Sequence, residues 1–263
     1  MASMFCFQCE QADQGEGCQV VGVCGKEPET ATLQDLLLYL TKGLAQYAHR
    51  LRGLGVTERA YDLAVLEALF TTVTNVNFDN ARLVEQLRRV AALRDQAREQ
   101  YLATAATPEV LDGPAMLVLA AELEGMVAQG EAIGVETRLD DLGDELVGLQ
   151  ELLCYGVKGL AAYADHALIL GYEDDAVFAF CHEALDALVN PAPQVPDLLA
   201  LNLRCGEVNL RTMELLDQAH TSTYCSPVPT PVRVTPVAGK CILVSGHDLK
   251  DLELLLQLTA GRG

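Results

Sequence analysis

One stretch of this chain occurs twice, and the repeat limits the possible folds more than any other feature. The segment LQDLLLYLTKGLAQYAHRLRGLG at 33–55 aligns without a gap on LQELLCYGVKGLAAYADHALILG at 149–171. Apolar residues recur every three or four positions, which is the period of an amphipathic α-helix. A duplicated helical unit is the natural interpretation. The matches include Leu33/Leu149, Tyr39/Tyr155, Lys42/Lys158, Gly43/Gly159, Leu44/Leu160 and Tyr47/Tyr163.

Two more helical segments follow each copy. Thr57 is a candidate N-cap for the second helix, and Thr107-Pro108 is a candidate start for a helical connector between the copies. The sequence therefore predicts a mainly α fold of two three-helix bundles related by an internal repeat. The predicted helices are 33–51, 57–72 and 79–101 in the first bundle, 107–135 in the connector, and 149–171, 173–189 and 197–220 in the second bundle.

The Lys-Gly pair found in both copies is interpreted as architecture. A glycine allows a close helix crossing, and a lysine beside it usually extends its ammonium group to solvent. The histidines have no ligand-like partner three or four residues away, so each is expected at the surface or at a helix cap. Cys181 and His182 point about 100° apart on a helix, which disfavours a nucleophile-base couple. The histidines in question are His49, His166, His182 and His220.

Composition narrows the classes of function. Half of the 263 residues are apolar, enough for a substantial core, and the formal charge is -19. That charge repels nucleic-acid phosphates and anionic lipids, so neither is an expected partner. No run approaches the roughly twenty apolar residues of a membrane helix, and the start does not resemble a secretory signal. With cysteines that do not pair sensibly, this indicates a reducing cytoplasm.

Four cysteines near the start carry the strongest chemical signal. Cys6, Cys9, Cys18 and Cys24 form the pattern C-x2-C-x8-C-x5-C, among glycines that allow a tight loop. Four thiolates on such a loop can hold an iron-sulfur cluster or a structural zinc ion, or they can remain unligated or form disulfides. The uneven spacing, with Val20, Val21 and Val23 around the sulfurs, favours iron and sulfur. The remaining cysteines, Cys154, Cys181, Cys205, Cys225 and Cys241, are expected to be isolated buried thiols.

The last part of the chain changes character. Four prolines between 226 and 239 indicate a stiff linker, and CILVSG at 241–246 is typical of a buried parallel strand. His247-Asp248 and a helix follow, which predicts the first strand-turn-helix of a Rossmann-like α/β domain, with His247 at the ligand-binding end of the strand. One strand cannot form a sheet, so the missing strands are expected from a longer chain or a second polypeptide. An isolated extension is the least favoured alternative.

The predicted domains follow from these boundaries: 1–28 as a cluster loop, 29–225 as the helical domain, 226–239 as the linker and 240–263 as the start of the α/β domain.

Several long strings together resemble one family. The opening FCFQCEQ, the repeated LQ[DE]LL element, GEVNLRTMELLDQAHTSTY and GKCILVSGHDLKDLELLLQ resemble the hybrid cluster proteins, also called prismane proteins or hydroxylamine reductases. The resemblance spans nearly the whole chain. It implies an N-terminal domain of two three-helix bundles, followed by two α/β domains. In relatives, glycine is expected at the position of Cys225.

The resemblance also implies cofactors and their ligands. Cys6, Cys9, Cys18 and Cys24 would hold a [4Fe-4S] cluster, and His247 would ligate an iron of the hybrid iron-sulfur-oxygen cluster. The other ligands of the hybrid cluster would lie in segments beyond this chain. Catalytic residues other than that ligand are not expected within it.

The implied activity is reduction of hydroxylamine to ammonia and water, with nitric oxide reduction as a second possibility. An electron donor protein of unknown identity would supply electrons through the N-terminal cluster. Two alternatives belong to other classes: a self-standing iron-sulfur electron-transfer or sensor module, and a zinc-stapled helical scaffold without a redox role.

Overall fold

The computed structural model describes residues 4–9, 11–73, 76–246 and 249–261. Within these ranges the chain is mainly helical, as the sequence predicts, and no strand is formed beyond a single bridge between Cys6 and Cys18. Short 3-10 turns occupy Asp13–Gly15 and Gly113–Met116. The α-helices are α1 (Pro28–Gly53), α2 (Arg59–Thr71), α3 (Asn80–Thr104), α4 (Leu123–Glu131), α5 (Val135–Ile169), α6 (Asp175–Ala187), α7 (Val195–Tyr224) and α8 (Leu249–Thr259).

Local chemistry accounts for several of the helix ends. Pro28 occupies the first turn of α1, where its missing amide hydrogen costs nothing. The Asp79 carboxylate accepts hydrogen bonds from the amides of Ala81 and Arg82 at 3.0 and 3.2 Å, which caps α3. Asp174 caps α6 in the same way, since it accepts from the Ala176 amide at 2.9 Å. These caps satisfy amides that the helices leave without internal partners.

Two predictions about helix boundaries are wrong. Thr57 is not the cap of α2, because the helix begins at Arg59 after Glu58 and has no side-chain cap. The connector is helical only in part: residues 107–112 are irregular, and α4 does not begin until Leu123. Gly113 and Pro114 interrupt the helical pattern between the irregular segment and α4, because Gly113 has a φ of +57° and proline lacks an amide hydrogen.

Helix α1 lies at the centre of the packing. It contacts α2, α3, α4, α6 and the 3-10 turn at Gly113–Met116, while α5 contacts α2, α6 and α7. One buried apolar cluster contains residues from both halves of the chain, among them Leu40 of α1 and Leu160 of α5. The α1–α6 and α2–α5 contacts thus join the two halves through a continuous core.

A buried polar group lies where α1, α2 and α6 meet. Arg52 donates to the Nδ1 atom of His182 at 3.2 Å and to the Asp62 carboxylate at 2.8 Å. His182 is only 1% exposed, so the expectation of a surface or capping histidine is wrong for this residue. Burial and the adjacent Arg52 guanidinium lower the pKa of His182 to about 3. The ring therefore stays neutral and can accept the hydrogen bond from Arg52.

The segment after α7 has a different character. Residues 225–246 have no regular secondary structure and are exposed, including Ile242, Leu243 and Val244 of the predicted strand. Cys225, which begins this segment, has a φ of +67°, a value that favours glycine. His247 and Asp248 lie outside the described residues, and α8 follows with no buried side chain. The Rossmann-like strand-turn-helix therefore stays a prediction.

No helix in the described ranges is both long and apolar enough to cross a membrane.

The two repeat-related glycines differ in their surroundings. A Cβ atom added to Gly43 would lie 2.3 Å from the carbonyl oxygen of Pro114, so α1 and the 3-10 turn approach each other closely only because this residue lacks a side chain. A Cβ atom added to Gly159 would meet no atom within 4 Å. The predicted close crossing therefore exists in the first copy and has no counterpart in the second.

This asymmetry gives a test with a built-in control. Gly43→Ala is expected to lower the free energy of unfolding by about 1–3 kcal/mol, because the new methyl group overlaps the Pro114 backbone. Gly159→Ala is expected to be neutral or to raise it by up to about 1 kcal/mol, since alanine favours a helix and the space is open. Urea denaturation of both variants measures the difference. Equal effects in the two copies would contradict the packing described here.

Candidate metal centre and the adjoining cavity

The N-terminal loop brings two of the predicted cysteine ligands face to face. The Cys6 amide donates to the Cys18 carbonyl at 3.1 Å, and the Cys18 amide donates to the Cys6 carbonyl at 2.8 Å. Residues paired in this way have Cα atoms about 5.5 Å apart and side chains on the same face. Cys18 is buried with Met4 and Ala31, which seats the loop against the first turns of α1.

Tight turns hold the other two cysteines. The Cys9 carbonyl accepts from the Ala12 amide at 3.1 Å, and the Gly22 amide donates to the Lys26 carbonyl at 2.8 Å around Cys24. A Cβ atom on Gly22 would lie 3.0 Å from the Cys24 Sγ atom, so this turn is too tight for a side chain there. Val20, Val21 and Val23 are largely exposed, which contradicts the expected apolar surround for the sulfurs.

The structure brings together part of the predicted ligand set. All nine cysteines are free thiols, and Cys6, Cys9 and Cys24 are partly accessible. Within the described residues, no group of three or more His, Cys, Asp or Glu side chains has a geometry that could hold a metal ion. Four free thiols on one short loop nevertheless have the donor chemistry of an iron-sulfur cluster or a zinc ion. His247 lies outside the described residues, so the ligand set as a whole stays a prediction.

The cysteines outside the loop divide into two groups. Cys154, Cys181 and Cys205 are buried, as expected, whereas Cys225 and Cys241 are exposed, so the expectation of burial is wrong for these two residues. Burial raises the pKa of the Cys181 thiol to about 12, so this residue is not a nucleophile near neutral pH.

A cavity of about 570 Å³ separates the cysteine loop from the helices beneath it. Cys6 and Phe7 form part of one wall, α1 and α5 form two others, and residues 112–114 and 188–191 also line the cavity. The Phe7 ring contacts the edge of the Tyr155 ring, with centroids 5.5 Å apart, so an aromatic pair joins the loop to α5. The repeat contributes an acidic residue, a tyrosine and a lysine from each copy, spaced four and three residues apart: Asp35, Tyr39 and Lys42 from α1, and Glu151, Tyr155 and Lys158 from α5.

Sequence reasoning missed this polar face. Lys42 is 7% exposed and Lys158 is 4% exposed, so the expectation that they extend to solvent is wrong. The available signal was the i, i+4, i+7 spacing of an acid, a tyrosine and a lysine in both copies. That spacing places polar side chains on a single face of helices that are otherwise apolar.

A break in α5 completes the cavity wall. Arg138 pairs with the Glu151 carboxylate and donates to the Gln150 side-chain oxygen at 2.9 Å. In a continuous helix, residues thirteen positions apart would be separated by about 20 Å. The contact forms because Gly143 adopts φ +77° and ψ 166°, outside the helical region, and the chain turns back there. Glu151 therefore has a counter-charge within its own helix.

Burial shifts the ionisation of other groups in the cavity. Burial raises the pKa of Asp35 to about 6, although the positive charge of Lys158 acts in the opposite direction. Burial lowers the pKa of Lys42, and the positive charges of Arg138 and Lys158 lower it further. The pKa of the Tyr155 hydroxyl is raised by burial and by nearby negative charge, so it remains a proton donor in hydrogen bonds.

The raised pKa of Asp35 predicts a pH-dependent stability. Between about pH 4 and 6, folded Asp35 holds a proton that the unfolded chain has lost, so stability falls as the pH rises through this window. Asp35→Asn removes the free-energy cost of ionising this buried carboxyl. The change is expected to raise the free energy of unfolding by about 3 kcal/mol near pH 7.5, with little change near pH 4. Urea denaturation at both pH values measures the effect.

The control is Asp112→Asn, an exposed carboxylate at the same cavity. This change is expected to alter stability by less than about 0.5 kcal/mol at either pH. A gain for Asp35→Asn that does not vary with pH would contradict the ionisation assigned to Asp35.

Comparison with known proteins places this geometry in context. The chain matches the Prismane/CO dehydrogenase family over residues 4–263. It is 54% identical to a hydroxylamine reductase of Rhodospirillum rubrum, with 99% of this chain and 48% of the relative aligned. It is 48% identical to a hydroxylamine reductase of Methanocella arvoryzae, with the same coverage. The chain thus spans about half the length of the curated relatives it matches, and it belongs to the Prismane/CO dehydrogenase family.

Proposed function

We propose that this chain is the N-terminal part of a hydroxylamine reductase and carries its electron-entry iron-sulfur cluster. The observation that carries the proposal is the match over residues 4–263 to a family whose similar members are named hydroxylamine reductases, with the four loop cysteines inside the matched region. The reaction consumes one hydroxylamine, two electrons and two protons and releases one ammonia and one water. Nitric oxide reduction is a second proposed activity.

Cys6, Cys9, Cys18 and Cys24 would hold a [4Fe-4S] cluster. When bound, such a cluster supplies one-electron transfer. The antiparallel pair already holds Cys6 and Cys18 on one face, and Cys9 and Cys24 lie on hydrogen-bonded turns of the same loop. Metal binding is coupled to the folding of the segment that carries its ligands, so it is expected to draw the four sulfurs together. The partial exposure of three of the cysteines suits electron entry from a donor protein.

His247 would ligate an iron of the hybrid iron-sulfur-oxygen cluster. The matched region contains it, although it lies outside the described residues. The remaining ligands would come from α/β domains in a longer chain or a second polypeptide, and the assembled protein would work in the cytoplasm. Residues 240–263 would be the opening of the first such domain.

The arrangement of the helices agrees with the domain organisation proposed for this chain. Helices α1 to α3 and α5 to α7 would be two bundles that arose by duplication of one unit, with 1–28 as the cluster loop and 226–239 as a linker. The shared sequence at 33–55 and 149–171 supports this origin, as do the contacts of α1 with α2 and α3 and of α5 with α6 and α7.

Replacing single cysteines tests the cluster assignment. Serine at position 6, 9, 18 or 24 is expected to lower bound iron and acid-labile sulfide well below the parent value, because a hydroxyl is a much poorer ligand for iron than a thiolate. Cys225→Ser and Cys241→Ser are matched controls, since both thiols are exposed and lie far from the loop in sequence. Iron and sulfide quantitation of anaerobic protein, with paramagnetic resonance after dithionite reduction, measures content and cluster type. Stoichiometric zinc without iron, or equal losses in the controls, would exclude the proposed cluster.

The second test concerns catalysis. The full-length protein containing this chain is expected to form ammonia from hydroxylamine with a reduced donor, and His247→Ala is expected to abolish that turnover. His220→Ala is the control, because this histidine has no assigned role. The chain reconstituted alone with iron and sulfide is expected to show no sustained turnover, since it supplies a single proposed ligand of the hybrid cluster. Turnover by the isolated chain would refute the dependence on further domains.

A further inference from the structure

Two lysines that line the cavity beneath the cysteine loop have buried side chains and no ion-pair partner among the described residues. Lys42 and Lys158 are more than nine-tenths buried and both line the cavity. Within the described residues, neither lysine has a hydrogen bond or a carboxylate oxygen within 4 Å of its nitrogen. Lys158 has a weaker contact, with its Nζ atom 5.9 Å from the centroid of the Tyr155 ring. Buried charges without partners are costly, so such a pair indicates a missing counter-ion.

We propose that this cavity binds a small monovalent oxyanion, held between the ammonium groups of Lys42 and Lys158. The hydroxyls of Tyr39 and Tyr155 line the same space and have no hydrogen-bond partner among the described residues, so they can donate to the anion as well. The duplicated element therefore supplies one ammonium group and one hydroxyl from each copy.

The charges around the cavity favour an anion with a single negative charge. Arg138 and Glu151 neutralise each other, and Asp112 and Asp141 are exposed, which leaves Asp35 facing the two lysines. Two ammonium groups and one carboxylate carry a net charge of one, which a monovalent anion balances. Lys26, whose charge also acts on Asp35, is not part of the cavity lining. A divalent anion would therefore meet the repulsion of Asp35 with no further unpaired cation among the described lining residues.

The volume of the cavity and its hydrogen-bond donors also limit which anions it can bind. A volume of about 570 Å³ accommodates a small anion with several waters, and waters can bridge it to donors that it does not reach. Ammonium and hydroxyl donors approaching from two helices suit a charge delocalised over two or three oxygens. Nitrate represents the inorganic members of this class, and acetate represents the carboxylates.

Calorimetric titration of the full-length protein with sodium nitrate, in low-chloride buffer near neutral pH, tests the proposal. One saturable site is expected. Lys42→Met and Lys158→Met are each expected to weaken binding about tenfold or more, because each removes a charge-assisted hydrogen bond. Lys240→Met is the matched control: it removes the same charge from an exposed position and is expected to leave binding unchanged.

Parallel titrations identify the source of the anion. Tighter binding of acetate would point to an organic acid and tighter binding of nitrate to an inorganic ion, and either result supports the shared chemistry. Tighter binding of sulfate than of both would overturn the assignment to a monovalent ion. Thermal unfolding gives a second readout, since nitrate is expected to raise the Tm of the parent protein and not that of a variant that combines Lys42→Met with Lys158→Met.

A loss of anion binding in the methionine variants is not expected to result from misfolding. Replacing an unpartnered buried ammonium group with methionine relieves a charge and keeps the length of the side chain, so both variants are expected to fold, which circular dichroism verifies. Lys42→Arg keeps the charge and is expected to keep most of the binding. Absence of saturable binding by nitrate and acetate in the parent protein, or unchanged binding in both methionine variants, would overturn the proposal.

Discussion

Burial of the apolar face of α1 is the interaction on which the rest of this structure depends. Leu33, Leu36, Leu37, Leu40 and Leu44 are fully buried, and the helix that carries them contacts both halves of the chain. Each such side chain contributes roughly 1.5–3 kcal/mol when it is removed from water. The same helix also has a polar face, and the side chains on that face line the cavity. Helix α1 therefore both builds the core and positions Asp35, Tyr39 and Lys42 opposite the cysteine loop.

Periodicity predicted most of the helices, because long runs of apolar residues at three- and four-residue spacing leave few alternatives. The prediction was less accurate where the backbone conformation of a single residue ends or interrupts a helix. Gly143 breaks α5 and Gly113 interrupts the connector, and each does so through a backbone conformation that a periodic pattern does not reveal. Burial of His182 was also missed, since it depends on Arg52, a residue distant in sequence that reaches it from another helix.

The candidate site was also predicted only in part. The cysteine spacing identified the loop, and the backbone pairing of Cys6 with Cys18 is consistent with a shared centre, while the complete ligand set and His247 remain predictions. The cavity was not foreseen, although its residues were visible in the repeat. The fold shows that these residues from the two repeat copies line one cavity. In a single copy, the same polar residues cannot be distinguished from the solvent-exposed side of an amphipathic helix.

The contact between Phe7 and Tyr155 has a consequence for biosynthesis. Phe7 is synthesised well before its partner Tyr155, and at about 5–20 residues per second the interval between them is on the order of 10 s. During that interval the loop exists without the Tyr155 ring against which Phe7 packs. The loop proposed to bind the cluster therefore lacks one of its packing partners until α5 has been made.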